Sequence, residues 1–147
     1  MADILPLNAS AEEGGQIVEV GAKKFICAYW DASAPAAIYE GTIVQIAHDT
    51  GADLKNPKVI VPATSAIYVW IAVARGVVSD AGWYWWQIKG ICDALCDGTS
   101  ADIGVGDYLE VITTGVSLIQ DHATVRSVQS VAMARVAYAT NAQALKE

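Results

Sequence analysis

Side chains able to do chemistry are few, and their spacing argues against catalysis. His48 and His122 each stand beside an aspartate, Asp49 and Asp121. A histidine next to a carboxylate is half of a nucleophilic triad, but no serine or cysteine sits in a recognisable nucleophile elbow. Both histidines fall in turn-forming stretches, so solvated side chains are expected. Cys27, Cys92 and Cys96 are an odd number, and no disulfide framework is implied. Cys92-x-x-x-Cys96 lacks the two-residue spacing of a zinc knuckle, and no second pair completes a tetrahedron. On a strand, residues four apart share a face, so the two read as small buried side chains. Asp93, Asp97, Asp102, Asp107 and Glu110 form an acidic run. Gly104 and Gly106 occupy positions where a calcium loop would place ligands, so these carboxylates read as solvated turn residues. A strand pattern follows Gly104-Val105-Gly106, leaving no helix N-terminus to cradle a phosphate. No catalytic residue, metal site or cofactor is expected.

The element that must position everything else is Gly82-Trp83-Tyr84-Trp85-Trp86-Gln87-Ile88-Lys89-Gly90. Four consecutive aromatics between glycines would scatter around a helix, whereas aromatic and β-branched residues between turn formers favour a strand. With a period of two, Trp83, Trp85, Gln87 and Lys89 share one face and Tyr84, Trp86 and Ile88 the other. One face serves as core. The other carries two tryptophans yet ends in Gln87 and Lys89, which suggests a second burial surface such as a subunit contact.

Short apolar runs bounded by turn residues recur along the chain. Strands are expected over residues 23–30, 42–47, 58–62, 67–74, 83–89, 108–113 and 116–120, with 91–95 extending the aromatic strand and 128–138 favoured as the closing strand. Residues 67–74 are apolar on both faces and read as a central, doubly covered strand. The pattern predicts an all-β fold, a small β-barrel or β-sandwich, over residues 23–140. Residues 1–22 read as an extended N-terminal arm with Gly14-Gly15 as pivot. Ile4, Leu5, Leu7 and Ile17 are its apolar anchors, suited to ordering against a neighbouring subunit. Ser10 and Glu13 have capping-box spacing, but the diglycine would end a helix at once. Residues 141–147 read as a tail, at most one helical turn.

The chain has 147 residues, enough for one domain with a sizeable core. Hydrophobic residues make up 54% and charged residues 17%, which is apolar for a lone monomer and points to association. A net charge of −7 with nine scattered basic residues argues against nucleic acid as partner. Residues 67–74 are too short for the roughly 20-residue membrane span, and the first residues lack the basic start and apolar core of a secretory signal.

Three matches together resemble a known family. They are the aromatic strand 82–90, then Asp97-Gly98-Thr99, then Asp102-Ile103-Gly104-Val105-Gly106-Asp107-Tyr108-Leu109. Ile38-Tyr39-Glu40-Gly41-Thr42-Ile43-Val44 and residues 127–138 match more weakly. The set resembles the small capsid decoration (cement) proteins of tailed bacteriophages. The resemblance implies a tulip-like β domain and a non-enzymatic homotrimer, made in the host cytoplasm. It would sit on the outer capsid surface between major capsid proteins, contacting neither nucleic acid nor membrane. In this reading Trp83, Trp85, Gln87, Lys89, Ile4, Leu5 and Leu7 are subunit-interface candidates, and Gly104, Gly106 and Asp107 form a structural turn. The alternative is a ligand- or carbohydrate-binding β-barrel that stacks Trp83 and Trp85 on a flat ligand.

Overall fold

The computed structural model describes residues 5–32, 37–47, 56–60, 70–97, 102–111, 118–120, 131–137 and 143–146. Six strands build the first sheet: β1 (Ile17–Val20), β2 (Lys23–Trp30), β3 (Ile43–Ala47), β4 (Lys58–Ile60), β5 (Trp70–Val73) and β6 (Gly82–Lys89). Their order is β1-β2-β4-β3-β5-β6, and β6 returns to pair with β2. Five strands therefore close into a barrel, with β1 as an extra strand on β2. Five further strands, β7 (Ala94–Asp97), β8 (Tyr108–Val111), β9 (Leu118–Gln120), β10 (Ala132–Met133) and β11 (Gln143–Lys146), form a second sheet in the order β10-β8-β9-β7-β11. The protein is all-β, and among the described residues one 3₁₀ turn, Ala11–Glu13, interrupts the pattern.

The longest ladder joins β2 to β6, antiparallel, with Cys27 opposite Trp85 and Trp30 opposite Gly82. Alternation along these strands decides what lies inside. Ile26, Ala28 and Trp30 from β2 meet Trp86 from β6, Val44 and Ile46 from β3, Val59 from β4 and Ala72 from β5 in the barrel core. Trp86 Nε1–H donates to the Ala28 carbonyl at 3.1 Å, whereas Nε1 of the equally buried Trp30 has no hydrogen-bond partner. Burying such a ring contributes on the order of 4–6 kcal/mol before chain entropy is subtracted. On the opposite face of β5, Ile71 and Val73 pack with Ile43 against Ala94, Cys96, Ile103, Leu109 and Ala134 of the second sheet and its loops. The expected doubly covered strand is realised only in part over Trp70–Val73: Ala72 is buried in the barrel and Ile71 and Val73 pack on the second sheet, but Trp70 is 49% exposed, and residues 67–69 lie outside the described part.

Four segments differ from expectation. Gly90 adopts φ +96, which a side chain rarely tolerates, and a Cβ there would stand 2.9 Å from the Ala22 carbonyl oxygen. The aromatic strand therefore ends at Lys89 instead of continuing through residues 91–95, and the chain re-enters as β7 in the other sheet. Within 131–137 the closing strand is only Ala132–Met133, paired with β8. The tail is not a helical turn: Gln143–Lys146 pairs antiparallel with β7. Finally, residues 5–20 do not project as an arm to a neighbour but run extended along the outside of their own barrel, where Ile17–Val20 is a strand on β2.

Candidate functional site

The outward face of β6 is where the sequence concentrates its unusual residues, and the N-terminal segment covers it. Trp85 N–H donates to the Leu7 carbonyl at 3.0 Å and Ala9 N–H to the Trp83 carbonyl at 2.9 Å, which adds residues 7–9 to the edge of β6. The 3₁₀ turn then lifts the chain across the sheet, with Ser10 N–H held by Glu13 Oε2 at 2.7 Å. Beyond it, Gly15 N–H donates to the Cys27 carbonyl and Cys27 N–H to the Gln16 carbonyl, which hands the chain to β2. Residues 5–20 are thus a strap fastened to one edge of the β2–β6 pair, crossing its face and fastened to the other edge. Under it, Phe25, Cys27 and Trp85 form a second core, flanked by Leu5, Ala9, Val18, Val20 and Trp83. Trp85 is 2% exposed. Trp83 stands edge-on to Tyr29, with ring centroids 5.5 Å apart.

Arg75 locks the start of the strap. Its Nη1 donates to the Pro6 carbonyl at 3.0 Å and its Nη2 to the Leu5 carbonyl at 2.8 Å. The guanidinium also lies 4.6 Å from the centre of the Phe25 ring, a cation–π geometry. Gly14 supplies the clearance: a Cβ there would lie 2.8 Å from Cζ3 of Trp83. Burial beneath the strap pushes the Cys27 thiol up to about 12, with the nearby Glu13 charge adding to the shift. Such a thiol is protonated at neutral pH and a poor nucleophile.

The sequence candidates therefore separate. Trp83, Trp85 and Leu5 meet within one chain, while the Leu7 side chain packs against the barrel core and its carbonyl holds Trp85 N–H, so the second burial surface expected of the Trp83/Trp85 face is occupied by the strap. Gln87 is buried at the far end of the same strand, where Nε2 donates to the Lys89 and Ile91 carbonyls, and Lys89 is exposed. Ile4, His48 and His122 lie outside the described residues. Gly104, Gly106 and Asp107 form a tight turn. Asp107 Oδ2 accepts the Gly104 N–H at 2.6 Å, and Gly106, at φ +89, donates its N–H to the Ala134 carbonyl at 2.8 Å. Among the described residues, no three His, Cys, Asp or Glu side chains could hold a metal ion.

Two features escape a reading of the sequence. One is Arg75, whose only signal is a lone cation ending an apolar run. The other is a cleft of about 430 Å³ between the barrel and the second sheet. Its lining comes from segments scattered between Ile43 and Val136, which no local motif connects. Comparison with protein-family models, curated proteins and solved structures finds no match for this chain.

Proposed function

We propose that the protein is a non-enzymatic structural protein that decorates and stabilises a viral capsid, binding as homotrimers on the outer surface between major capsid proteins. The observation that carries the association half of this reading is the outward face of β8 and β10. Met133 and Tyr108 are directly opposed in the ladder and both exposed, Met133 at 57%. Val131 is exposed on the same strand face and Val105 in the adjacent turn. A two-residue edge strand dressed with exposed apolar side chains is a surface suited to a partner. The capsid half rests on the resemblance of residues 82–90 and 97–109, and the net charge of −7 suits an exterior position away from packaged nucleic acid. Many weak copies then suffice, because contacts on a lattice reinforce one another.

The alternative, a flat ligand stacked on Trp83 and Trp85, loses its platform, because the strap covers Trp85 and Gly14 and Tyr29 flank Trp83. Sedimentation at micromolar concentration tests the association: a trimer is expected, with Met133→Lys dissociating it while circular dichroism is unchanged. A wild-type monomer overturns this part. Cryo-electron microscopy of expanded heads lacking the protein, incubated with it, tests the second part. Density at local threefold positions supports the reading, and bare heads refute it.

A further inference from the structure

The cleft between the two sheets is apolar, and the charge on its lining is opposite in sign to that of the chain. Ile71 and Val73 of the barrel face Ile103 and Leu109 of the second sheet, and its volume, about 430 Å³, is that of a small-molecule site. The charged residues that line it are Lys89, from the end of β6, and Arg135, just after β10. Both are exposed, so their charged ends are open to water, and the Lys89 charge also reaches Glu19 of β1. No carboxylate lines it among the described residues, although the chain carries sixteen acidic residues against nine Lys and Arg. An apolar trough with cations from both walls at its opening is complementary to a molecule with one hydrocarbon chain and one anionic end. We infer that this cleft binds a free long-chain carboxylate, the alkyl chain lying between the sheets and the carboxylate paired with Lys89 and Arg135.

The chemistry sets the expected behaviour. Each methylene buried should strengthen binding by about threefold to fourfold, so affinity rises steeply from octanoate to laurate. Charge-assisted hydrogen bonds to the carboxylate should be worth about tenfold or more over an uncharged head. A diacyl lipid would need room for two chains and a headgroup, which argues for the free acid over a membrane surface.

The test uses the full chain and cis-parinaric acid, a carboxylate that becomes fluorescent in an apolar site, displaced by laurate below its micellar concentration. One saturable site per chain is expected, with laurate displacing the probe at least tenfold better than methyl laurate or dodecylammonium. Lys89→Gln combined with Arg135→Gln should weaken laurate about tenfold and leave the ester unchanged. Ala132→Trp, which fills the cleft from an exposed position, should abolish binding with circular dichroism retained. Absence of saturable binding overturns the inference, as does equal displacement by acid and ester. So does undiminished binding in folded Ala132→Trp, or flotation with anionic vesicles without binding of the monomeric acid.

Discussion

Gly14→Ala isolates the contact between strap and barrel. Gly14 has φ −50 and ψ 125, a conformation alanine adopts freely, so the backbone opposes nothing. The whole penalty is steric: the new methyl would stand 2.8 and 2.9 Å from two ring carbons of Trp83 and 3.2 Å from the Ala11 carbonyl oxygen. Overpacking of this kind costs about 1–3 kcal/mol, while loss of glycine freedom in the unfolded chain returns about 0.4–1 kcal/mol. The net expectation is a destabilisation of about 1–2 kcal/mol by urea unfolding. Trp83→Ala removes the ring that the methyl meets. In that background Gly14→Ala should become neutral or slightly stabilising, giving a coupling of about 1–3 kcal/mol across the cycle. Because the strap lies on its own barrel, the coupling should not change with protein concentration. A Gly14→Ala variant of wild-type stability refutes the contact. An equal penalty with and without Trp83 refutes its mechanism, and a coupling that grows with concentration places the strap on a neighbouring copy.

Trp85→Ala should cost about 3–5 kcal/mol in urea unfolding, since the ring is enclosed by Phe25, Cys27 and the strap; a loss confined to assembly, with monomer stability intact, refutes that placement. Asp107→Ala should cost about 1–2 kcal/mol through loss of the carboxylate acceptor for Gly104 N–H, and Asp107→Asn should recover part of it in the same assay. Cys27 gives stability a pH dependence at the alkaline end. Its folded pKa of about 12 lies above the ordinary thiol value of 9.0, so the unfolded chain gives up its proton first. The contribution is full below the unfolded value and is lost as pH rises from there toward about 12. Thermal unfolding across that window should show a decline that is shallower in Cys27→Ala, and identical slopes refute the assignment. At pH 8 the native protein should leave Cys27 unalkylated by iodoacetamide, with mass spectrometry locating the label.

The alternation of the aromatic strand was legible because it depends only on residue order. Trp86 had to face one way and Trp85 the other, and both faces had to be buried. What buries Trp85 was not legible, because the strap's Leu5, Ala9, Val18 and Val20 are spread among polar residues. Their meeting is decided at the edges of β2 and β6, far along the chain. Ile17-Val18-Glu19-Val20 does carry a strand's alternation, and the diglycine just before it obscured the signal. Gln143-Ala144-Leu145-Lys146 has helix-forming residues and becomes a strand because the exposed edge of β7 offers hydrogen bonds, a tertiary preference that overrides the local one. Gly90 marked a break in the sequence, yet only its positive φ determines that the chain leaves the barrel there. The cleft was invisible for a related reason: it is a gap between two sheets, and sequence pattern describes surfaces, not their separation.

The strap also constrains how the chain can reach this structure during synthesis. Arg75 donates to the Pro6 carbonyl across 69 residues of sequence, and the other fastenings of residues 7–9 await β6. On the ribosome, β1 and β2 can form a hairpin early, but Phe25 and Cys27 then present an uncovered apolar face until Gly82–Lys89 has emerged. Contacts of such long sequence separation form slowly, and the waiting surface is open to association with other chains. Barrel closure and docking of residues 7–9 depend on the same strand, so the two events are coupled in time. Residues 7–9 emerge well before the strand that fixes them.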